Sequence, residues 1–122
     1  MTDLATLTVL RDAMRTAQAA ADEACRAYDA AISAALWADF PRHRAKCNPW
    51  VRWEAAGWRS VSVALGHDRD DVFTWLGQVS IDGLTRSHAT GPTPYAAVLA
   101  ALYALDDTEA RDALRAAVEA TR

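Results

Sequence analysis

The sequence lacks the features from which a chemical activity is usually read. Its two cysteines, Cys25 and Cys47, stand in no paired spacing, which indicates a reduced protein rather than a disulfide framework. No serine or cysteine lies in a nucleophile elbow, and no glycine-rich phosphate loop is present. The histidines His43, His67 and His88 form no pair with zinc spacing. These absences predict a protein that is not an enzyme and that has no catalytic residues, no cofactor and no metal.

Long apolar runs are missing as well. No stretch approaches the roughly 20 apolar residues of a membrane-spanning helix, and the acidic N-terminus does not resemble a signal peptide. We therefore expect no membrane contact and a cytoplasmic location. The net charge of −3 argues against bulk, non-specific binding of nucleic acid, although a local basic patch remains compatible with it.

One loop carries acids and a histidine close together. Residues 66–71 read GHDRDD and include His67, Asp68, Asp70 and Asp71. Their spacing does not match a calcium loop of the EF-hand type. Asp and Gly are common in turns, so we predict a solvated turn and no metal site.

A strong hairpin signal is present in the second half of the chain. Asp82 and Gly83 stand between Ile81 and Leu84, and a two-residue type I′ turn needs positive φ at both central positions. Such a turn fixes the register, and side chains alternate between the two faces of the sheet. The apolar face is then Phe73, Trp75, Val79, Ile81 and Leu84, and the polar face is Thr74, Gln78, Ser80, Thr85 and Ser87. The predicted cross-strand pairs are Ile81 with Leu84, Val79 with Arg86, Gly77 with His88 and Trp75 with Thr90, which place His88 on the core side.

Two earlier segments complete the predicted sheet. Val61, Val63 and Leu65 alternate with other residues over residues 58–65, as in a half-buried antiparallel strand that starts at Trp58. Residues 50–54 predict a short strand that precedes it. The expected sheet is an antiparallel meander of three to four strands.

Helix signals flank this sheet. Thr93 and Pro94 form a natural helix start, and residues 106–109 can cap a second helix or lie within a kinked one. We therefore predict an α+β fold in which a long N-terminal helix and one or two C-terminal helices pack on the sheet. The expected chain is a single domain of residues 1–122, with the long helix in 1–39, the sheet in 50–90 and the C-terminal helices in 94–121.

The N-terminal helix, predicted over residues 2–38 with Thr2 or Asp3 as its cap, shows a heptad pattern. Its stripe is large at the ends and alanine in the middle, so it buries little area. Two interpretations remain open: the stripe packs on the chain's own sheet and C-terminal helix, or part of it pairs with a second copy. We call the following residues the seam: Leu7, Leu10, Met14, Ala17, Ala21, Ala24, Tyr28, Ala31 and Ala35.

Residues 42–59 are basic and rich in tryptophan, with Glu54 as their single acid. Tryptophans before a strand can simply cover the core, with arginine stems over them. Arg and Trp also dominate protein-binding hot spots, and the same mixture suits single-stranded nucleic acid. All three interpretations remain open. The candidate partner-binding residues are Arg42, Arg44, Trp50, Arg52, Trp53, Trp58 and Arg59.

Residues 36–105 resemble small uncharacterised proteins of bacteriophages and prophages, of the phage alpha–beta–alpha sandwich type. The resemblance rests on WVRWEAAGWRSVSV (residues 50–63), on the strand with Trp75, and on the corner ATGPTPYAAVLAALYAL (residues 89–105). It implies a phage or mobile-element origin, helices on both sides of a sheet, and no catalytic residues. The Ser/Thr-rich face of the hairpin, by contrast, predicts a solvent-facing side.

These observations together predict a small phage-derived protein that acts in the cytoplasm of a host cell. It would bind and inhibit a host protein, such as a component of a CRISPR defence system. The first alternative is a nucleic-acid-binding accessory protein that uses residues 42–59. The second is a phage structural component that assembles through its N-terminal helix.

Overall fold

A computed structural model describes residues 3–47, 49–67, 69–70 and 72–122. The elements are helix α1 (Leu4–Asp39), strands β1 (Lys46–Cys47), β2 (Trp50–Ala55), β3 (Arg59–His67), β4 (Phe73–Ile81) and β5 (Leu84–Gly91), and helices α2 (Pro94–Tyr103) and α3 (Thr108–Glu119). The predicted α+β fold is confirmed. The chain divides into two compact units, one ending at Ala31 and the other spanning Ile32–Arg122. None of the helices among these residues is long and apolar enough to cross a membrane.

Helix α1 starts at a capping side chain. Asp3 Oδ1 accepts a hydrogen bond from the Thr6 backbone N–H at 2.8 Å. This bond holds the pKa of Asp3 below its ordinary value of 3.8, because it favours the carboxylate over the acid. Thr2, the other predicted cap, lies outside the described residues.

Helix α1 changes from exposed to buried towards its C-terminal end. All described residues up to Ala31 are exposed. Ile32 and Leu36, in the last turns of α1, are buried in the core of the second unit. The last turns of α1 therefore belong to the core of the second unit.

The sheet has five strands, and each strand pairs antiparallel with the next one in the chain. The predicted meander is confirmed, with one strand more than expected because Lys46–Cys47 pairs with Val51 and Trp50. The pairs Val51 with Val63 and Trp53 with Val61 set the register between β2 and β3. Strand β3 starts at Arg59 instead of Trp58, because Trp58 belongs to the preceding turn.

The β4–β5 hairpin has the predicted turn but not the predicted register. Asp82 and Gly83 have φ values of 53° and 80°, and Ile81 pairs with Leu84 as expected. A β-bulge follows, since Ser80 pairs with Thr85 whereas Val79 pairs with Ser87, and Arg86 is the extra residue. The predicted pairs Val79–Arg86, Gly77–His88 and Trp75–Thr90 were therefore wrong. The observed pairs are Val79–Ser87, Gly77–Ala89 and Trp75–Gly91.

The bulge moves every later residue of β5 to the opposite face. His88 pairs with Gln78 and is exposed, so its predicted place on the core side was wrong. Ser87, predicted on the polar face, is instead buried and donates its hydroxyl to the Ala101 carbonyl at 2.8 Å. Phe73 and Leu84, predicted on the apolar face, lie at strand ends and are exposed.

Two separate helices follow the sheet, as their caps show. The Thr93 side chain accepts from the Ala96 N–H at 3.1 Å, and Pro94 opens α2. Asp107 caps α3 by accepting from the Ala110 N–H at 3.1 Å. The sequence left a single kinked helix open as an alternative, and the structure has two helices.

Helices α2 and α3 lie on the same side of the sheet. A Cβ atom added to Gly77 would point at Ala97 of α2, and Trp53 Nε1 donates to Thr121 Oγ1, just after α3, at 3.1 Å. The resemblance implied helices on both sides. The buried side chains on the covered side include Val51, Val61, Val63, Val79, Val98, Leu102, Leu114 and Val118.

Candidate functional site

The face of the sheet that points away from α2 and α3 carries polar side chains in rows. One row runs Arg52, Ser62, Gln78 and His88 across four strands, and the next runs Glu54, Ser60, Ser80 and Thr85. We call these eight residues the polar face. Arg52 Nη2 lies 3.5 Å from Glu54 Oε1, and Gln78 Nε2 donates to Thr85 Oγ1 at 2.7 Å. Ser60 is buried, whereas the other seven residues are exposed or half-buried and present both donors and acceptors to a ligand.

Trp58 lies at the end of this face, in the turn that joins β2 to β3. Gly57 and Trp58 have φ values of 84° and 58°, so a bulky residue adopts the left-handed conformation that glycine favours. The Trp58 side chain is 87% exposed. Its carbonyl accepts a hydrogen bond from the Asp82 N–H at 3.0 Å, which ties the two hairpin turns together and holds the Trp58 backbone.

A pocket of about 410 Å³ adjoins the turn. Arg52, Glu54 and Ser80 of the polar face contribute to its lining, together with Trp58. The side chain of Arg59, also in the lining, is 17% exposed, and its Nη1 lies 3.8 Å from Glu109 Oε1. Arg59 Nε also donates to the Ala56 carbonyl. The pocket thus combines an aromatic ring, a carboxylate and a held guanidinium in one place.

Trp53 cannot take part in this surface. It is 4% exposed, its ring meets those of Phe40 and His43 edge-on at centroid distances of 4.6 and 5.2 Å, and its Nε1 is bonded to Thr121. Trp53 therefore belongs to the core, and we remove it from the candidate partner-binding residues. Trp53 therefore matches the interpretation in which a tryptophan covers the core.

The remaining candidates lie towards the other end of β2. Trp50 is 40% exposed and pairs with Cys47 and Ala64. Arg42 and Arg44 are exposed in the loop after α1, and the Arg42 N–H donates to the Thr121 carbonyl at 2.9 Å. Because Trp50 and Ala55 are the two ends of β2, Trp50 lies apart from Trp58 and Arg59.

The loop after α1 is held by a histidine that the sequence analysis did not single out. His43 is buried, its Nδ1 accepts from the Ala45 N–H at 3.0 Å, and its Nε2 lies 2.9 Å from the Arg52 carbonyl. An accepting Nδ1 makes Nε2 the protonated nitrogen, so the ring is the Nε2–H tautomer. A lone histidine in a basic loop gave no signal of this role.

Lys46 has its ammonium group engaged within the protein. Its Nζ donates to the His43 carbonyl at 2.9 Å and lies 2.8 Å from the centre of the Trp37 ring. Burial lowers the pKa of Lys46. This lysine therefore contributes less free positive charge to the loop than its count in the sequence suggests.

The described residues include no cluster of three or more His, Cys, Asp or Glu side chains arranged to hold a metal. The chain was also compared with family models, curated proteins and solved structures, and no match was found in any of the three comparisons. The phage resemblance consequently stays a prediction from the quoted motifs.

Proposed function

We propose that this protein is a binding protein that recognises a partner protein through Trp58 and the polar face. The observation that carries the proposal is that Trp58 combines a left-handed backbone with an exposed indole. A non-glycine residue in the left-handed region costs about 1–3 kcal/mol, and an indole that is 87% exposed recovers little of this by burial. The fold alone gives no reason for tryptophan at this position, whereas a partner that buries the ring does.

The surroundings of Trp58 suit a protein partner. Hot spots combine a central aromatic or arginine side chain with a polar rim that excludes water. Trp58 and Arg52 supply the aromatic and arginine side chains, and Ser62, Ser80 and Thr85 of the polar face supply the polar rim. The adjoining pocket of about 410 Å³ is large enough for a side chain of the partner. Arg59, held by Glu109, acts in this proposal by supporting the turn.

The identity of the partner rests on the sequence alone. Inhibition of a host protein, with a CRISPR component as the example, is the hypothesis drawn from the short chain, the absence of catalytic motifs, the phage resemblance and the Arg/Trp-rich residues 42–59 together. A protein without catalytic activity would inhibit by occupying a surface that its target needs. The non-enzymatic character, the cytoplasmic location and the phage origin remain predictions.

The test compares Trp58→Gly with Trp50→Ala. Glycine relieves the left-handed backbone, so folding stability should stay unchanged or rise by up to about 1 kcal/mol. Loss of a tryptophan anchor should weaken partner binding by about 2 kcal/mol or more, or roughly 30-fold. Trp50→Ala removes the same side chain at the far end of β2 and should leave binding near the wild-type value. Denaturant unfolding and titration of the purified partner, first captured from host lysate, measure the two quantities.

Opposite results would reject the proposal. If Trp58→Gly bound as tightly as wild type, the Trp58 turn would lie outside the interface. If it unfolded more easily, the indole would be serving the fold. If the Trp58→Gly variant captured the same protein from lysate as well as the wild-type chain does, that protein would bind elsewhere and would count against the proposed surface.

A nucleic-acid interface is the second candidate, favoured by the exposure of Arg42, Arg44 and Trp50. This arrangement offers charge for phosphates and a ring for base stacking. It predicts that Trp50→Ala and Arg44→Ala, and not Trp58→Gly, weaken binding to a single-stranded oligonucleotide. Binding should also fall steeply with salt concentration. Oligonucleotide binding that depends on Trp58 would contradict this candidate.

A further inference from the structure

Residues 3–31 form an exposed helical segment with an apolar seam. The seam residues Leu7, Leu10, Met14 and Tyr28 are between 48% and 62% exposed and occupy the a and d positions of a heptad. An isolated helix in water is marginally stable unless its apolar face is packed. Monomeric proteins also rarely expose a continuous apolar patch of this length, which is about 36 Å for residues 7–31 at 1.5 Å per residue.

We propose that this seam binds the same seam of a second copy, and that the two helices run antiparallel. In an antiparallel pair an a residue of one helix meets a d residue of the other. We set the register so that the residue numbers of two facing seam residues add up to 38. The layers then span residues 7–31. The four distinct layers are Leu7 with Ala31, Leu10 with Tyr28, Met14 with Ala24, and Ala17 with Ala21.

The sizes of the seam residues favour this direction. Two of the four layers, those of Leu7 and Met14, place a large residue against an alanine, whereas Leu10 meets Tyr28 and Ala17 meets Ala21. A parallel pair has no such mixed layer, because every seam residue meets its own copy, Leu7 on Leu7, Met14 on Met14 and Ala21 on Ala21. Since the distance between helix axes depends on the side chains at the contact, that arrangement packs less evenly.

The charges favour the same direction. Within the paired layers, residues 7–18 carry Arg11, Asp12 and Arg15, a net charge of +1, whereas residues 19–31 carry Asp22, Glu23, Arg26 and Asp29, a net charge of −2. An antiparallel pair brings each half against the half of opposite sign, and a parallel pair brings like against like. The positive and negative ends of the two helix dipoles are also brought together.

The first experiment measures mass as a function of concentration for the full chain. Wild type should reach about twice the 13.3 kDa of one chain. Leu10→Glu buries an unpaired carboxylate in two layers of the pair, so it should raise the dissociation constant on the order of 100-fold. Val9→Glu is the matched control, since Val9 is 66% exposed and lies next to Leu10 but outside the seam. It should leave the dissociation constant nearly unchanged.

The second experiment measures direction by disulfide cross-linking. Cys25 and Cys47 are free and exposed, so both are first replaced by serine. Leu10→Cys and Tyr28→Cys chains should then cross-link when mixed, and neither should cross-link alone. Cross-linking of Leu10→Cys with itself would show a parallel pair and overturn the register.

Folding of the second unit can be followed separately, because all five tryptophans lie within Ile32–Arg122. Tryptophan fluorescence should therefore be the same in Leu10→Glu and wild type, while the helical circular dichroism signal falls as the pair dissociates. A wild-type chain that stays monomeric at every concentration, or a Leu10→Glu chain that associates like wild type, would overturn the proposal. The interface excludes Trp58, so these outcomes do not bear on the proposed function.

Discussion

Gly77 lies where α2 comes closest to the sheet, and Gly77→Ala tests how tightly the two layers pack. An added Cβ would lie 2.3 Å from the Ala97 oxygen, 2.8 Å from the Ala97 carbonyl carbon and 3.1 Å from Ala101 Cβ. Ordinary contacts to a Cβ begin at 3.4 Å, so the Ala97 carbonyl must move by about 1 Å or more. Two of these atoms are helix backbone and cannot rotate away, which means that α2 must shift as a body.

The expected cost follows from these distances. Overpacking typically costs about 1–3 kcal/mol, and contact with backbone places Gly77→Ala at the upper end, near 3 kcal/mol. Loss of glycine flexibility in the unfolded chain returns about 0.4–1 kcal/mol, so the net loss is about 2–3 kcal/mol. For a domain of this size the melting temperature should fall by about 10–20 °C.

Gly66→Ala is the matched control for this change. Gly66 also lies within a strand, and its added Cβ would meet Leu76 Cβ and the Thr74 oxygen at 3.9 Å, which is ordinary contact. Its stability should stay the same or rise by up to about 1 kcal/mol. Thermal unfolding followed by tryptophan fluorescence compares the two variants. Equal melting temperatures would refute the close packing of α2 on β4.

Two further predictions concern the core and the start of α1. Trp53→Ala should cost about 3–5 kcal/mol of stability in urea unfolding, because it empties a buried site, whereas Trp50→Ala should cost about 0.5 kcal/mol or less; similar losses for both would show that Trp53 is not a core residue. The Asp3 pKa lies below 3.8 in the folded chain, so its cap is fully present above pH 3.8 and is lost as the pH falls through the lowered pKa. Helical circular dichroism should fall over that acid range in wild type and should fall less in Asp3→Asn, which keeps a capping oxygen without titrating; identical acid profiles would contradict this role of Asp3.

The sequence predicted those elements whose signals are local. The Asp82-Gly83 turn, the Thr93 cap and the alternation of Val61, Val63 and Leu65 each depend on a few neighbouring residues. Each was confirmed because backbone conformation and side-chain chemistry demand the same local structure. The α+β class followed from their order along the chain.

The bulge at Arg86 could not be predicted in this way. Residues 85–88 read TRSH and contain no apolar side chain that would mark the inward face, so a shift by one residue left no trace in the pattern. The position of His88 was wrong for that reason. The burial of Ser87 depends on the Ala101 carbonyl of α2, which is distant in the sequence.

The candidate site was predicted only in part. Composition placed Trp50, Trp53 and Trp58 together, but composition does not distinguish a buried ring from an exposed one. The alternation of Val51 and Trp53 on one face of β2 was a usable sign that Trp53 is buried. The left-handed backbone of Trp58 had no such sign, because it depends on where β3 starts.

The order of the strands has a consequence for how the chain acquires its structure. Each strand pairs with its neighbour in the chain, so most of the sheet depends on short-range contacts, which form rapidly. The helices that cover Val61, Val63 and Val79 come last. A chain synthesised only as far as Gly91 can therefore assemble its hairpins while the part of the apolar face that α2 and α3 cover remains open to water. The growing chain is most prone to aggregation during that interval. The interval ends when residues 94–119 dock on the sheet.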